Sequence, residues 1–441
     1  MKLSARLVLC LLPACGGGGG GVDPDAGNHL GDGALAVDAR PAAVTIHVFD
    51  AARAPVVGRA VAFLRPDDST VVETMTDSTG TASAPMPDGG SVSVAPVAVT
   101  GTAPAVGYTY LGVKNGDELT IGSPKQTSTP FSITVSVPGT AVPTAKNYLF
   151  NSSCNINASN ETNVLSTPMM LREGCTVADF YVEAKDSSFK TISTAWRPAQ
   201  AVSAGATVDS GSIFTAPITS TLSVSHAPQF TTLTPALDLV VGSFYPVPVG
   251  FSTDLTLTNG AGTRTLTHAS IPGSSLETRV VISGSGSQLL VKRAAAPTTV
   301  ALDFTTANLP AIASGVVYSQ ASSVVTWQES GHAVDTAAVD LQVRSGTTRN
   351  FRWLILGPHI NASLHVPHLP TSLAAFNVAA GDTATVLVAA IGSFPGGYDR
   401  IRAHAFLYEL DFFSPFQGGD RRNVFGYVVA DGDTAMIATN R

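Results

Sequence analysis

Charge is scarce in this chain. Asp, Glu, Lys and Arg make up 13% of its 441 residues, about half of the ~25% usual in soluble domains. The net charge is −7, with no basic block and no ladder of basic and aromatic residues, so nucleic acid is not an expected partner. Beyond the N-terminus no uninterrupted apolar run reaches the length of a membrane-spanning helix, about 18–20 residues. Aromatic residues are 7% and the strand signals are uneven. Both argue against a transmembrane barrel, which needs repeated ~10-residue strands with aromatic girdles. Neither G-x-S-x-G nor H-E-x-x-H occurs, and no C-x-x-C pair is present. No catalytic residue, cofactor or metal ligand is therefore expected.

Turn formers and β-formers are abundant. Gly and Pro number 41 and 28, Ser and Thr are common, and period-2 alternation recurs where 3.6-residue periodicity does not. The expected class is all-β, as tandem antiparallel β-sandwich domains. At ~150 residues per domain the length suggests about three.

The first fifteen residues read differently. Lys2 and Arg6 precede the apolar run Leu7–Leu12, and Ala14 stands before Cys15. That order is a secretory signal. Leu12, Ala14 and Cys15 resemble the lipobox of bacterial lipoproteins, and the resemblance implies a signal peptide at 1–14 with lipidation of Cys15. Gly16 follows where an aspartate would mark inner-membrane retention, so the resemblance implies sorting to the outer membrane. A plain secretory signal with an incidental cysteine is the other reading. Residues 15–40, opening on Gly16–Gly21, read as a flexible tether. The expected partners are the membrane, through the lipid anchor, and a protein or carbohydrate ligand at the cell envelope.

With Cys10 removed in the signal and Cys15 lipidated, Cys154 and Cys175 remain. In an oxidising envelope such a pair is expected to form a disulfide. Two free thiols or a redox pair are the alternatives.

A first domain is expected at 41–138. Val44, Ile46 and Val48 alternate with polar neighbours, and strands follow at Ala60–Leu64, Thr70–Met75 and Thr81–Ala84. Asp77 is placed to bond nearby amides, with Gly80 free to take positive φ. Asn115-Gly116 marks a later turn, and Phe131, Ile133, Val135 and Val137 line one face of a last strand. The set Asp50, Pro55-Val56, Gly58, Val61, Phe63, Thr76-Asp77, Gly80, Ala82, Val92 and Val94 resembles the bacterial Ig-like and carboxypeptidase-regulatory-like families. The resemblance implies a sandwich that serves as spacer or accessory module, with no catalytic residues of its own.

A second β-rich domain is expected at 139–300. In it Phe180, Val182 and Ala184 alternate with Tyr181 and Glu183, and Ser283–Ser287 turns a hairpin. The Gly-Ser run lacks the lysine of a phosphate loop. A third domain, 301–441, is expected to be a fibronectin-like sandwich around Trp327. In it Val339, Leu341 and Val343 alternate, as do Phe351, Trp353 and Ile355. Thr385–Ile391 reads as a central strand, and further strands are expected at Ala403–Leu410 and Val424–Ala430.

Three constellations invite a ligand. His359, His365 and His368 lie within ten residues, but Pro367 intervenes and no acidic residue stands nearby in sequence, so loop or surface histidines are the stronger reading. Asp23, Asp25 and Asp32 lack the bidentate Glu of a calcium loop. Trp196, Trp327 and Trp353 could stack on sugars, although core packing suits each better. The expected function is a lipid-anchored structural or binding module at the outer membrane, more readily a non-enzyme than an enzyme. The alternatives are a hydrolase whose active site no motif reveals and a carbohydrate-binding surface protein.

Overall fold

The structure is a computed structural model. It describes residues 43–404 and 434–440, apart from 51–53, 98–103, 123–129, 138–141, 155–159, 163–164, 172–174, 210–213, 228–231, 234–235, 242–244, 249–254, 269, 272, 284–286, 296–298, 305–308 and 346–348. The signal, the tether, Cys15 and the Asp23–Asp32 carboxylates lie outside the described residues, as do 405–410 and 424–430.

The chain is all-β and built in sandwich layers. The first module holds β1 (Val44–Val48), β2 (Ala60–Leu64), β3 (Thr70–Met75), β4 (Thr81–Ala84), β5 (Gly90–Val97), β6 (Ala105–Val113) and β7 (Glu118–Ile121). One layer is the sheet β4-β1-β7; the other runs β6-β5-β2-β3. Alternation explains the division, since every second residue of a strand faces the same way. Val44, Ile46 and Val48 point inward onto Phe63, Val92, Val94 and Tyr110, all fully buried. The turn before β4 forms as its residues dictate. Asp77 Oδ1 accepts the amides of Thr79 at 2.8 Å and Thr81 at 3.0 Å, and Gly80 takes φ +75°.

The second module holds β8 (Phe131–Ser136), β9 (Asn147–Ser152), β10 (Asn160–Thr162), β11 (Ser166–Leu171), β12 (Val177–Lys185), β13 (Thr191–Ala201) and β14 (Thr207–Asp209). Its layers are β11-β8-β14 and β10-β9-β12-β13. This corrects the first boundary expected from sequence. Phe131–Ser136 does not close the first domain at 138; it is the middle strand of the next sandwich, bonded to β11 and β14. Alternation shows which face of a strand is apolar and carries no information about which core receives it.

The Cys154–Cys175 disulfide is formed, with its Cα atoms 6.2 Å apart. It ties the end of β9 to the start of β12, strands that already pair antiparallel. Replacing both cysteines by serine is expected to cost about 3 kcal/mol, the chain-entropy value for a loop of this size. A urea unfolding midpoint unchanged from wild type would contradict that expectation.

Both faces of β12 are buried. Phe180, Val182 and Ala184 enter the module's own core. Tyr181, Glu183 and Lys185 point the other way, where Tyr181 joins the core of the third module. Glu183 accepts from the hydroxyls of Tyr181 and Thr191, the latter at 2.8 Å, and Lys185 Nζ lies 3.7 Å from it. Burial pushes the Tyr181 phenol well above its ordinary range, so it stays a donor.

The third module holds β15 (Ile218–Ser225), β16 (Thr232–Leu233), β17 (Ala236–Val241), β18 (Tyr245–Pro248), β19 (Leu255–Thr256), β20 (Gly262–His268), β21 (Ser274–Ser283), β22 (Ser287–Ala295) and β23 (Thr299–Asp303). Its layers are β20-β15-β23 and β18-β17-β21-β22, with β16 and β19 a small extra pair. Ser283 and Ser287 face each other across the expected hairpin. The span expected as one domain, 139–300, thus contains two sandwiches. With β16 and β19 set aside, the three modules share one strand order: 4-1-7 in one layer and 3-2-5-6 in the other.

The fourth module departs from that order. It holds β24 (Ala311–Ser319), β25 (Val324–Ser330), β26 (Thr336–Ser345), β27 (Arg349–Pro358), β28 (Ser363–His365), a 3₁₀ turn (Thr371–Phe376), β29 (Thr383–Ser393), the helix α1 (Gly397–His404) and β30 (Thr434–Asn440). The sheet β24-β25-β28 covers β30-β29-β26-β27, an order of 1-2-5 against 7-6-3-4. Trp327 is 5% exposed in this core. β29 is buried on both faces from Val388 to Ile391, the second half of the expected run: Val388 and Ala390 enter one core and Ala389 and Ile391 another, whereas Thr385 is exposed. Ala403 corrects the expected strand at 403–410, because it lies in α1. There Tyr398, Ile401 and Arg402 fall at helical spacing on the buried side.

Three of the four-stranded layers join edge to edge. The result is one twelve-stranded sheet, β18-β17-β21-β22-β30-β29-β26-β27-β6-β5-β2-β3. The fourth module sits at its centre. It pairs antiparallel with the third through β30 and β22 and parallel with the first through β27 and β6. At the second joint Trp353 stands opposite Gly107 and donates through Nε1 to Thr109 Oγ1 at 2.9 Å. A Cβ on Gly107 would meet the Trp353 ring at 2.8 Å. Gly107→Ala is expected to destabilise by about 1–3 kcal/mol, the usual cost of overpacking. Thermal melts of the variant check this, and an unshifted melt would contradict it. Tyr398 closes the joint, its hydroxyl donating to the Leu111 carbonyl of β6 and, at 3.3 Å, to that of Leu356 in β27.

Candidate functional site

A cluster of polar groups lies where β28 and the 3₁₀ turn cross from the fourth module onto the first. Leu364, Leu369 and Leu373 share one apolar core with Ala62 and Leu64 of β2. That packing brings His365 and the backbone of His368 beside Asp68 of the first module, about 300 positions away.

Asp68 ends the turn between β2 and β3 in the left-handed region, φ +63°. Asp67 shapes the turn by accepting the Ser69 amide at 3.0 Å. The Asp68 carboxylate accepts from His365 Nε2 at 2.8 and 3.0 Å and from the His368 amide at 2.8 Å. Hydrogen bonding to Asp68 holds the His365 imidazole above its ordinary range, against the opposing effect of burial.

The sign of the linkage follows from that direction. A cation favoured in the fold contributes stability that is fully present below the unfolded imidazole pKa, about 6.5, and is lost as pH rises through the folded value. Stability is therefore expected to decline as pH climbs above 6.5, and Asp68→Asn should flatten that slope. Denaturation midpoints at pH 6, 7 and 8 test it, and parallel slopes in both proteins would sink the assignment.

His359 belongs to a second node. Its Nε2 lies 2.9 Å from Glu329 Oε2, which also accepts from Trp327 Nε1 at 2.6 Å. The backbone amide of His359 donates to the Asp335 carbonyl at 2.9 Å. The Asp335 side chain accepts from Thr336 Oγ1 at 2.6 Å and from the Phe394 amide at 2.9 Å. Burial, the largest influence, raises the Asp335 carboxyl above its usual range. The structure thus separates the three histidines: His365 and His368 meet at Asp68, and His359 sits with Glu329. Among the described residues no group of three or more His, Cys, Asp or Glu is arranged to hold a metal ion. Sequence reasoning missed Asp68, Glu329 and Asp335. Only the turn signal Pro66-Asp67-Asp68 marked the first of them.

Beside Asp68 a cleft opens between β26, β27 and the 3₁₀ turn, lined by Tyr318, Phe351, Trp353, His368, Phe376 and Asn377, among others. Phe351 and Phe376 meet edge to face at 5.9 Å. Its enclosed space is about 30 Å³, room for one or two waters and far below the ~300 Å³ at which small-molecule sites begin. Trp327 and Trp353 are buried, and Trp196 is half-buried against the third module's core. The arrangement can lock two modules together through paired charges. Its carboxylates are committed to imidazoles, an indole, a hydroxyl and backbone amides.

No family model matches the chain, and no curated protein matches it. Among solved structures, the Bacillus anthracis TIE protein is similar at 9% identity, over 59% of this chain and 50% of that one, with a TM-score of 0.15. The chain therefore spans half the length of that protein. BcpA, the major pilin subunit of Bacillus cereus, is similar at 10% identity over 59% of this chain and 97% of its own, with a TM-score of 0.13. A variant of the same pilin subunit gives 10%, 59% and 98%, with a TM-score of 0.14. Among the described residues no helix is long and apolar enough to cross a membrane.

Proposed function

We propose that this protein is a lipid-anchored scaffold of the bacterial envelope, held at the outer membrane through Cys15 and serving as a structural or binding module. The observation that carries the reading is the twelve-stranded sheet. It bonds three modules edge to edge, so that they act as one stiff body where flexibly linked domains would move independently. The Cys154–Cys175 disulfide supports an oxidising compartment, and the lipobox-like Leu12, Ala14 and Cys15 support the anchor. The first module follows the Ig-like or carboxypeptidase-regulatory-like pattern and acts as a spacer. The fourth, with its 1-2-5 and 7-6-3-4 layers around Trp327, is of the fibronectin-like kind.

Acyl labelling in cells, with and without Cys15→Ser, tests the anchor. The expected result is a labelled, membrane-bound chain that becomes unlabelled and released in the variant. An unlabelled wild-type chain in the soluble fraction would overturn the proposal. Protease shaving of intact cells then shows which face of the outer membrane carries the body.

A further inference from the structure

We infer that residues 367–380 form a lid over the aromatic cleft, latched to the first module through Asp68 and His365 and released as pH rises. The segment joins β28 to β29 and carries the 3₁₀ turn. The amide of Val366, just before it, still reaches the Ser323 carbonyl at 2.8 Å. Beyond that point its described backbone bonds run within itself: Leu373 to Pro370, Asn377 to Ala374 and Asp382 to Ala379. The Asn377 side chain ties the two ends of the loop together. Its Oδ1 accepts the Leu369 amide at 2.7 Å, and its Nδ2 donates to the Leu369 carbonyl at 2.8 Å. Compact loops with joined ends are frequently functional, and this one is bonded so that it can move as one piece. Past its far end Gly381 takes φ +89° with open space beside it, a position where the backbone can turn without a clash.

Side chains fasten this loop to the rest of the molecule. Asp68 accepts the His368 amide at 2.8 Å, and Glu73 Oε2 accepts the Ser372 amide at 3.3 Å. Gln320 Nε2 donates to the Val378 carbonyl at 3.2 Å, and Arg349 Nη2 to the carbonyls of Ala375 and Asn377 at 2.9 and 2.7 Å. Leu369 and Leu373 seat the loop in the core. Tyr318, Phe351 and Trp353 line the cleft beneath it. Titration enters at Asp68, because one carboxylate binds both the His365 ring of β28 and the loop's His368 amide. A charged imidazole holds that acceptor in place. Loss of the proton leaves a neutral donor, whose hydrogen bond is the weaker kind, and the β2–β3 turn is then freer to carry Asp68 away. The other ionisable groups described around the loop are Arg65 and Asp67 of that turn, Glu73 of β3, Arg349 of β27, Asp382, the exposed ring of His368, and Tyr318 of β24, whose phenol is raised by burial.

Hydrogen exchange of the full chain tests the lid, followed by mass spectrometry in dilute urea at pH 6 and pH 8, with each rate corrected for the intrinsic effect of pH. Peptides covering 367–380 are expected to exchange through an opening that urea barely affects, because it exposes little surface. Peptides of β26, near the middle of the large sheet, should exchange through one that depends steeply on urea. The lid's opening constant should rise about five-fold from pH 6 to pH 8, the order expected when a charged hydrogen bond becomes a neutral one. His365→Gln keeps a donor without a titrating ring and should abolish that rise. His368→Gln should preserve it, because the amide of His368 is what bonds to Asp68. A loop that exchanges only together with β26, at the same urea slope, would overturn the inference, as would equal opening constants at the two pH values. Both outcomes are read on the unmodified chain, so they stand even if a variant fails to fold. A rise that survives in folded His365→Gln would overturn the latch.

Discussion

A chain ending at residue 433 is expected to lose single-step unfolding and to melt in at least two separate transitions. The missing β30 is only seven residues long, yet it forms the whole link between β22 and β29. Met436, Ile437 and Ala438 are each buried, at 7%, 6% and 1% exposure. Loss of the two larger side chains removes about 1.5–3 kcal/mol of burial apiece. The ladders on both sides contribute about 0.5–1.5 kcal/mol per hydrogen bond. Together these approach the 5–15 kcal/mol that holds a domain folded. The third module should then uncouple from the fourth, and limited proteolysis should cut first around β22 and β29. Differential scanning calorimetry decides the matter. One transition within a few degrees of wild type would show that β30 is not the joint described here.

Arg352→Met is expected to cost about 3–5 kcal/mol at neutral pH, the usual penalty for stranding a buried charge. Asp340 is fully buried in β26, and Arg352 of β27 grips both of its oxygens, through Nε at 3.0 Å and through Nη2. Even so paired, burial holds the Asp340 carboxyl above its usual range. A carboxyl raised in this way contributes stability below its unfolded pKa, and the contribution is lost as pH rises through the folded value. Without the guanidinium the folded value should climb further, so the penalty should shrink as pH falls from 7 towards 5. Urea midpoints at the two pH values test this, and an equal loss at both would contradict it. Combining Arg352→Met with Asp340→Leu should recover most of the stability, because two apolar residues leave no charge uncompensated.

The strands were far more legible than their partners. The alternation of Val44, Ile46 and Val48 fixed β1, and Asp77 with Gly80 announced the turn before β4, because both signals are local. β8 was equally legible as a strand, but its neighbours β11 and β14 are set by packing that no window of sequence contains. The threefold recurrence of one strand order left no repeated motif to find, since it lies in pairing order and the turn residues differ from module to module. β30 gave little signal. Met436 and Ile437 are its only large apolar residues, and its central position comes from the strands on either side. The candidate site was half legible. The histidines stood out, whereas their carboxylate partners did not, because Asp68 and His365 lie 297 positions apart.

The parallel joint of β27 with β6 also sets a timescale. Thr109 and Trp353, bonded there, are 244 positions apart in the chain. Folding slows as contacting residues become more distant in sequence, and sheets dominated by such pairings take milliseconds to seconds where local folds take microseconds. The first three modules pair largely within themselves and can form early. The large sheet cannot close until nearly the whole chain is present, so its final step is slow. During that interval the edges of β6 and β22 stand open, and a holding chaperone would keep them from pairing with other chains.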